Sequence, residues 1–121
     1  MAQPRQVVST VYPYLSIIVE IRGQREEVLA LIDTGYTGDL VVPANWQSRG
    51  LGLPDGRNTV EVGDGRTVYA PVYLGVLEII GFDPIPEVAI TALGDEYILG
   101  QRILDRFEIT LDHGQRVIVR P

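Results

Sequence analysis

A carboxylate, a hydroxyl and a glycine follow one another at Asp33-Thr34-Gly35, at the end of the apolar run 28–32. That run reads as a buried strand, so it delivers an ionisable group to a place where hydration is lost and a partner has to compensate. Two uses fit such an acid. Held by neighbouring donors, it anchors a strand-to-turn junction, for which Asp, Thr and Gly are all suited. Set against a second carboxylate, it becomes an acid/base centre in which two groups share one proton, because two like charges at close range cannot both ionise cheaply. Amide hydrolysis without a metal or a nucleophilic side chain needs such a pair. One carboxylate takes a proton from water, and one carboxylic acid protonates the carbonyl.

Asp33-Thr34-Gly35 between apolar segments resembles the active-site signature of aspartic proteases, and the retroviral-type (retropepsin-like) branch fits best. Thr37-Gly38-Asp39-Leu40-Val41-Val42-Pro43 is similar to the stretch that follows the triplet in cellular single-motif relatives. Tyr97-Ile98-Leu99-Gly100-Gln101-Arg102-Ile103-Leu104 resembles the family's apolar-apolar-Gly element, which crosses the catalytic strand and leads into a short helix. A lone tripeptide recurs in unrelated chains. Both elements in order, with a hairpin between them, carry the resemblance over roughly residues 15–112.

The resemblance implies an all-β acid-protease half barrel with one short C-terminal helix, completed as a homodimer, in a single domain over 1–121. It implies an aspartic endopeptidase in which Asp33 is catalytic, Thr34 reaches across the axis to brace the partner's loop, and Gly35 permits close backbone approach. Ile98, Leu99 and Gly100 are implied to support the site. Tyr36 and Thr37 would contact substrate together with Val62, Gly63, Asp64 and Gly65 at the tip of a candidate flap, the hairpin 60–69. An ordinary β-hairpin is the competing reading of that segment, and Asp64 reads as a turn former. None of the other aspartates, those at 39, 64, 95, 105 and 112 among them, has the Thr-Gly context, so the second catalytic acid must come from a second copy.

Retroviral relatives also place a small residue after the catalytic Gly, then an acid that pairs with an Arg following the downstream Gly. This chain has Tyr36, Thr37 and Gln101 at those positions. Either a Thr37–Gln101 contact or an Asp39–Arg102 pair can stand in, and the residues do not decide between them. Tyr36 is bulky and is expected to narrow the cleft. The terminal strands 7–11 and 116–120 are implied to interleave between copies, which would bury edges that invite aggregation.

The elements that must position these groups are mostly strands. Residues 14–21 alternate as a half-buried strand and turn at Arg22-Gly23-Gln24 into the strand that carries Asp33. A short strand at 40–43 precedes one helical turn or loop at 44–50 that carries Trp46, a packing residue more than a substrate platform. Asp64-Gly65 signals a type I′ turn, whose two central residues need positive φ. A long strand follows over 72–80 with Gly75 as a bulge, then a turn at 81–86, a strand at 88–91, a short helix at 101–107 and two closing strands, one alternating Phe107, Ile109 and Leu111 and the other at 117–119.

Composition narrows the remaining classes. At 121 residues, 45% hydrophobic, with 13 Gly and 8 Pro, the chain suits one strand-and-turn core. Net charge is −6, and all ten basic residues are scattered arginines, so no nucleic-acid footprint exists. With no Cys and His113 as the single His, neither a thiolate or His-based metal site nor a Ser-His triad is expected, and no cofactor is implied. The polar stretch 1–10 lacks the apolar core of a signal peptide and no run reaches ~18 apolar residues, so a cytoplasmic protein without a membrane partner is expected. The homodimer is expected to act on a peptide or protein. A dimeric peptide- or protein-binding module of the same fold that turns over slowly or not at all is the alternative, and a structural dimerisation domain is a further one.

Overall fold

A computed structural model describes residues 6–121; residues 1–5, the start of the polar N-terminal stretch, lie outside it. In chain order the strands are β1 (Val7–Ser9), β2 (Tyr14–Ile21), β3 (Gln24–Ile32), β4 (Leu40–Val42), β5 (Gly56–Glu61), β6 (Thr67–Ile79), β7 (Ile85–Ala92), β8 (Ile98–Leu99), β9 (Glu108–Asp112) and β10 (Arg116–Arg120). Helix α1 (Gln101–Leu104) lies between β8 and β9, and a 3₁₀ segment, Ala44–Arg49, follows β4. The fold is an all-β half barrel with one short helix near the C-terminus. Among the described residues no helix is long and apolar enough to cross a membrane.

The alternation in β2 becomes its two faces. Leu15, Ile17, Val19 and Ile21 are buried, and their neighbours point the other way. The β2 strand pairs antiparallel with both β3 and β6, which curls the seven-stranded sheet, ordered β2-β3-β8-β4-β7-β6-β5, towards closure. Between β2 and β3 the chain reverses in two residues, Arg22 and Gly23, both at positive φ (50° and 83°). This is the geometry a two-residue hairpin requires. Arg22 tolerates it because its guanidinium is tied down, donating to the carbonyls of Leu51 and Leu53 at 2.6 Å each and facing Asp55 at 3.1 Å.

Three local expectations need correcting. The 62–66 turn is not type I′: Asp64 is absent from the positive-φ residues, Gly65 has φ 85°, and Gly65 N–H donates to the Val62 carbonyl at 2.9 Å. Gly63-Asp64-Gly65 thus form a three-residue loop closed by a left-handed glycine, because Asp64 spends its carboxylate on the Arg66 N–H at 3.0 Å and on the Arg66 side chain. The helix ends at Leu104 instead of continuing to Phe107, which instead leads into β9. The run 28–32 is not buried throughout: Ala30 is, while Leu29 is 44% exposed, since β3 covers the core with one face only. The bulge at Gly75 does appear, as a register shift between Gly75 and Leu77 in the β6–β7 ladder.

Within the single chain, β1 pairs antiparallel with β10, and β10 pairs with β9, in a three-stranded sheet ordered β1-β10-β9. Val7, Val117 and Val119 carry this sheet onto the core of the larger one, where the chain's apolar mass is collected. Trp46 is fully buried in that core, its Nε1 donating to the Tyr97 hydroxyl at 2.8 Å and its ring lying 3.7 Å beneath the Arg49 guanidinium.

Candidate active site

Insertion of β8 builds the site. This two-residue strand lies between β3 and β4, parallel to the first and antiparallel to the second. Being apolar on both sides, Ile98-Leu99 can be buried in the middle of a sheet, and its backbone then has to be paired. The pairing fixes Asp33 directly: its N–H donates to the Leu99 carbonyl at 3.1 Å, one rung beyond the Leu31 N–H to Tyr97 carbonyl bond at 2.8 Å. The far side of the loop is tied to the start of α1. Gly100, Gln101 and Arg102 N–H groups donate to the carbonyls of Asp39, Tyr36 and Gly38 at 2.8, 2.7 and 3.2 Å.

Within that frame Asp33 is half-buried, and its Oδ1 accepts the Gly35 N–H at 2.8 Å. The carboxylate opens on a cleft of about 450 Å³ whose lining includes Gly35, Tyr36 and Val41 from its own side and Val60, Glu61, Val62 and Gly63 from the β5–β6 hairpin. Asp64 and Gly65, at the hairpin tip, are not part of this lining, and Thr37 borders an adjoining hollow between the Asp33 loop and β5. Thr34 is exposed and faces a separate apolar groove. Ile98 lines the cleft floor, while Leu99 and Gly100 are buried beneath it.

Tyr36 does not jut across the cleft as its size suggests. A Cβ at Gly38 would sit 2.3 Å from the Tyr36 hydroxyl, and one at Gly100 would sit 2.6 Å from Tyr36 Cδ2 and 2.1 Å from the Gly38 carbonyl oxygen. The two glycines therefore make the slot into which the ring folds. Burial, with the nearby Asp39 charge adding to it, raises the Tyr36 hydroxyl pKa above its ordinary value, while the Thr91 hydroxyl acts the other way. The Thr91 contact is a weak one, as Thr91 Oγ1 is buried without a well-formed hydrogen bond.

Of the two candidate substitutes for the family's ion pair, the structure contains Asp39–Arg102. Asp39 Oδ1 stands 3.1 Å from Arg102 Nε, and its Oδ2 accepts the Ala89 N–H at 2.8 Å. Asp39 thus ties the Asp33 loop to both α1 and β7. Sequence reasoning missed the segment Leu93, Gly94, Asp95 and Glu96, which lines the cleft. Its signal was topological: any chain that enters β8 between β3 and β4 has to pass beside the Asp33 loop. With Asp33 and Glu61 it gives the lining four carboxylates. Among the described residues no cluster of His, Cys, Asp and Glu has the arrangement to hold a metal ion.

No protein-family model matches the sequence, and no curated protein does. At the level of structure the chain is similar to a retropepsin-like aspartic protease from Rickettsia conorii, with a TM-score of 0.61, 15% identity, and coverage of 94% of this chain and 89% of that one. The likeness establishes the fold: this chain has the retropepsin-like half barrel, with Asp33 at the C-terminal end of β3 beside the inserted strand β8.

Proposed function

We propose that the chain is one half of a homodimeric aspartic endopeptidase, a single protease-type domain over 1–121 in which Asp33 and its symmetry mate cleave peptide bonds. The observation that carries this reading is the setting of Asp33: half-buried, its backbone fixed by Leu99, its carboxylate opening on a cleft roofed by a hairpin. A turn anchor needs no cleft. Asp33 of one copy, ionised, takes a proton from water as the water oxygen adds to the scissile carbonyl carbon. The protonated mate gives its proton to the carbonyl oxygen, and the C–N bond then breaks as the nitrogen takes up a proton, leaving an acid and an amine. The Thr34 hydroxyls brace the two loops across the axis, Gly35 lets them approach, and the β5–β6 hairpin acts as a flap through Val62 and Gly63, holding an extended peptide by its backbone beside Tyr36 and Thr37. Asp64 and Gly65 shape the flap tip. Ile98, Leu99 and Gly100 keep Asp33 in place.

Incubation with denatured protein from acidic to neutral pH, with Asp33→Asn alongside, tests the proposal. Cleavage that is blocked by a statine-type transition-state mimic and falls by roughly a thousandfold or more in the variant supports it. Peptide binding that is equal in both chains, with no cleavage in either, identifies a dimeric binding module instead.

A further inference from the structure

Side-chain braces on the loop that follows Asp33 are few. Thr37 and Gln101 are exposed, and the Asp39–Arg102 pair is screened by solvent because most of the Arg102 side chain is exposed. An aromatic ring fills the inside of the loop instead. At Gly38 the three atoms nearest to an added Cβ all belong to Tyr36, and at Gly100 one of the three does. Gly38 is not among the glycines at positive φ, so its backbone does not exclude a side chain; the Tyr36 ring does. Slot and ring are matched to each other. Tyr36 is also a junction of backbone bonds. Its N–H donates to the Asp33 carbonyl at 3.2 Å, closing a tight turn within which the Gly35 N–H holds Asp33 Oδ1 at 2.8 Å. Its carbonyl accepts the Gln101 N–H at 2.7 Å, which ties the same turn to the start of α1. Its hydroxyl end faces Thr91 on β7, the strand to which Asp39 is bound through the Ala89 N–H.

We infer that Tyr36 is a positioning residue: its ring, wedged between Gly38 and Gly100, sets the place of the Asp33 carboxylate by holding the 33–36 turn against α1 and β7. This role rests on the peptidase reading above and gives the ring a part besides any touch on substrate. A packed ring braces a loop more firmly than an exposed ion pair, because it is not screened by salt and because close-packed contacts transmit displacement. Its removal leaves a void into which residues 35–38 relax. Moving a catalytic group by about 1 Å costs on the order of a hundredfold in rate. The loss is therefore read in turnover, with affinity for substrate largely kept.

Cleavage of denatured protein and of a peptide derived from it, measured on the full chain, tests the role. Tyr36→Ala is expected to lower kcat by roughly a hundredfold with KM within about threefold of the parent. Tyr36→Phe, which keeps the wedge, recovers kcat to within about fivefold of the parent. Gly38→Ala displaces the ring and lowers kcat as well, yet added to Tyr36→Ala it brings no further loss, because the atoms it would collide with are gone. A raised KM at parental kcat makes Tyr36 a substrate contact and overturns the inference. So does a Phe variant as poor as the Ala variant, or full additivity of the Tyr36 and Gly38 substitutions. Amide exchange needs no turnover and gives a second readout: in Tyr36→Ala the Asp33 and Gln101 N–H groups lose roughly tenfold or more of their protection while those of β2 keep theirs. Unchanged protection at Asp33 overturns the inference whatever the activity. A parent chain that cleaves nothing overturns the peptidase reading, and the exchange comparison then decides by itself whether Tyr36 positions Asp33. If Tyr36→Ala does not fold, Tyr36→Leu carries the same comparisons.

Discussion

Asp39 serves two partners with different exposure, and the difference makes their removal unequal. Its side chain is 13% exposed and that of Arg102 is 76% exposed. Asp39→Ala strands the Ala89 N–H and loosens the loop, so it is expected to cost about 1–3 kcal/mol in urea unfolding. Arg102→Ala removes a solvent-screened ion pair and is expected to cost less than about 1 kcal/mol. Both residues were legible as a possible pair, yet no spacing rule could rank them above Thr37 and Gln101, since the outcome depends on how the 36–39 loop curls. Tyr36 offers a test through pH. Burial first, and then Asp39, raise its pKa in the folded chain, so the folded state keeps a proton that the unfolded chain gives up. That contribution is whole below the unfolded value near pH 10 and is lost as pH rises through the raised value. Thermal unfolding above about pH 10 should therefore fall more steeply for the parent chain than for Tyr36→Phe.

At the level of elements, the inserted strand β8 is the feature on which Asp33 depends, and both its own Ile98-Leu99-Gly100 run and the apolar run leading to Asp33-Thr34-Gly35 were visible in the sequence. What the sequence could not show was how tightly they meet. A methyl group at Gly100 would lie 2.1 Å from the Gly38 carbonyl oxygen, a backbone atom with no room to retreat. Gly100→Ala is accordingly expected to destabilise by about 3 kcal/mol or more and to lower the unfolding midpoint, while Gly56→Ala, with nothing within 4 Å, is expected to have little effect. The strand alternation of β2 and the bulge at Gly75 were readable because they rest on period and on residue type. Turn type at Gly63-Asp64-Gly65 and the early end of α1 were not, because each is settled by a particular side-chain contact that residue type does not fix: Asp64 with Arg66 in one case, and Phe107 against the core in the other.

The molecule as a whole carries one Asp-Thr-Gly, so any chemistry that needs two acids is tied to association. Specific activity is expected to fall on dilution, following the dimer fraction measured by sedimentation at the same concentrations. Within the chain β1 pairs with β10, a pairing that joins residues more than a hundred positions apart and that no local signal announces. The lone tryptophan has a practical consequence. Trp46 hydrogen-bonds the Tyr97 hydroxyl, and the Tyr97 carbonyl accepts the Leu31 N–H, so the indole is two hydrogen bonds removed from the strand that carries Asp33. Its emission, undiluted by any other indole in the chain, is therefore a built-in optical gauge: a red shift on adding denaturant or on mutating β8 would mark the moment at which water first reaches the scaffold under Asp33.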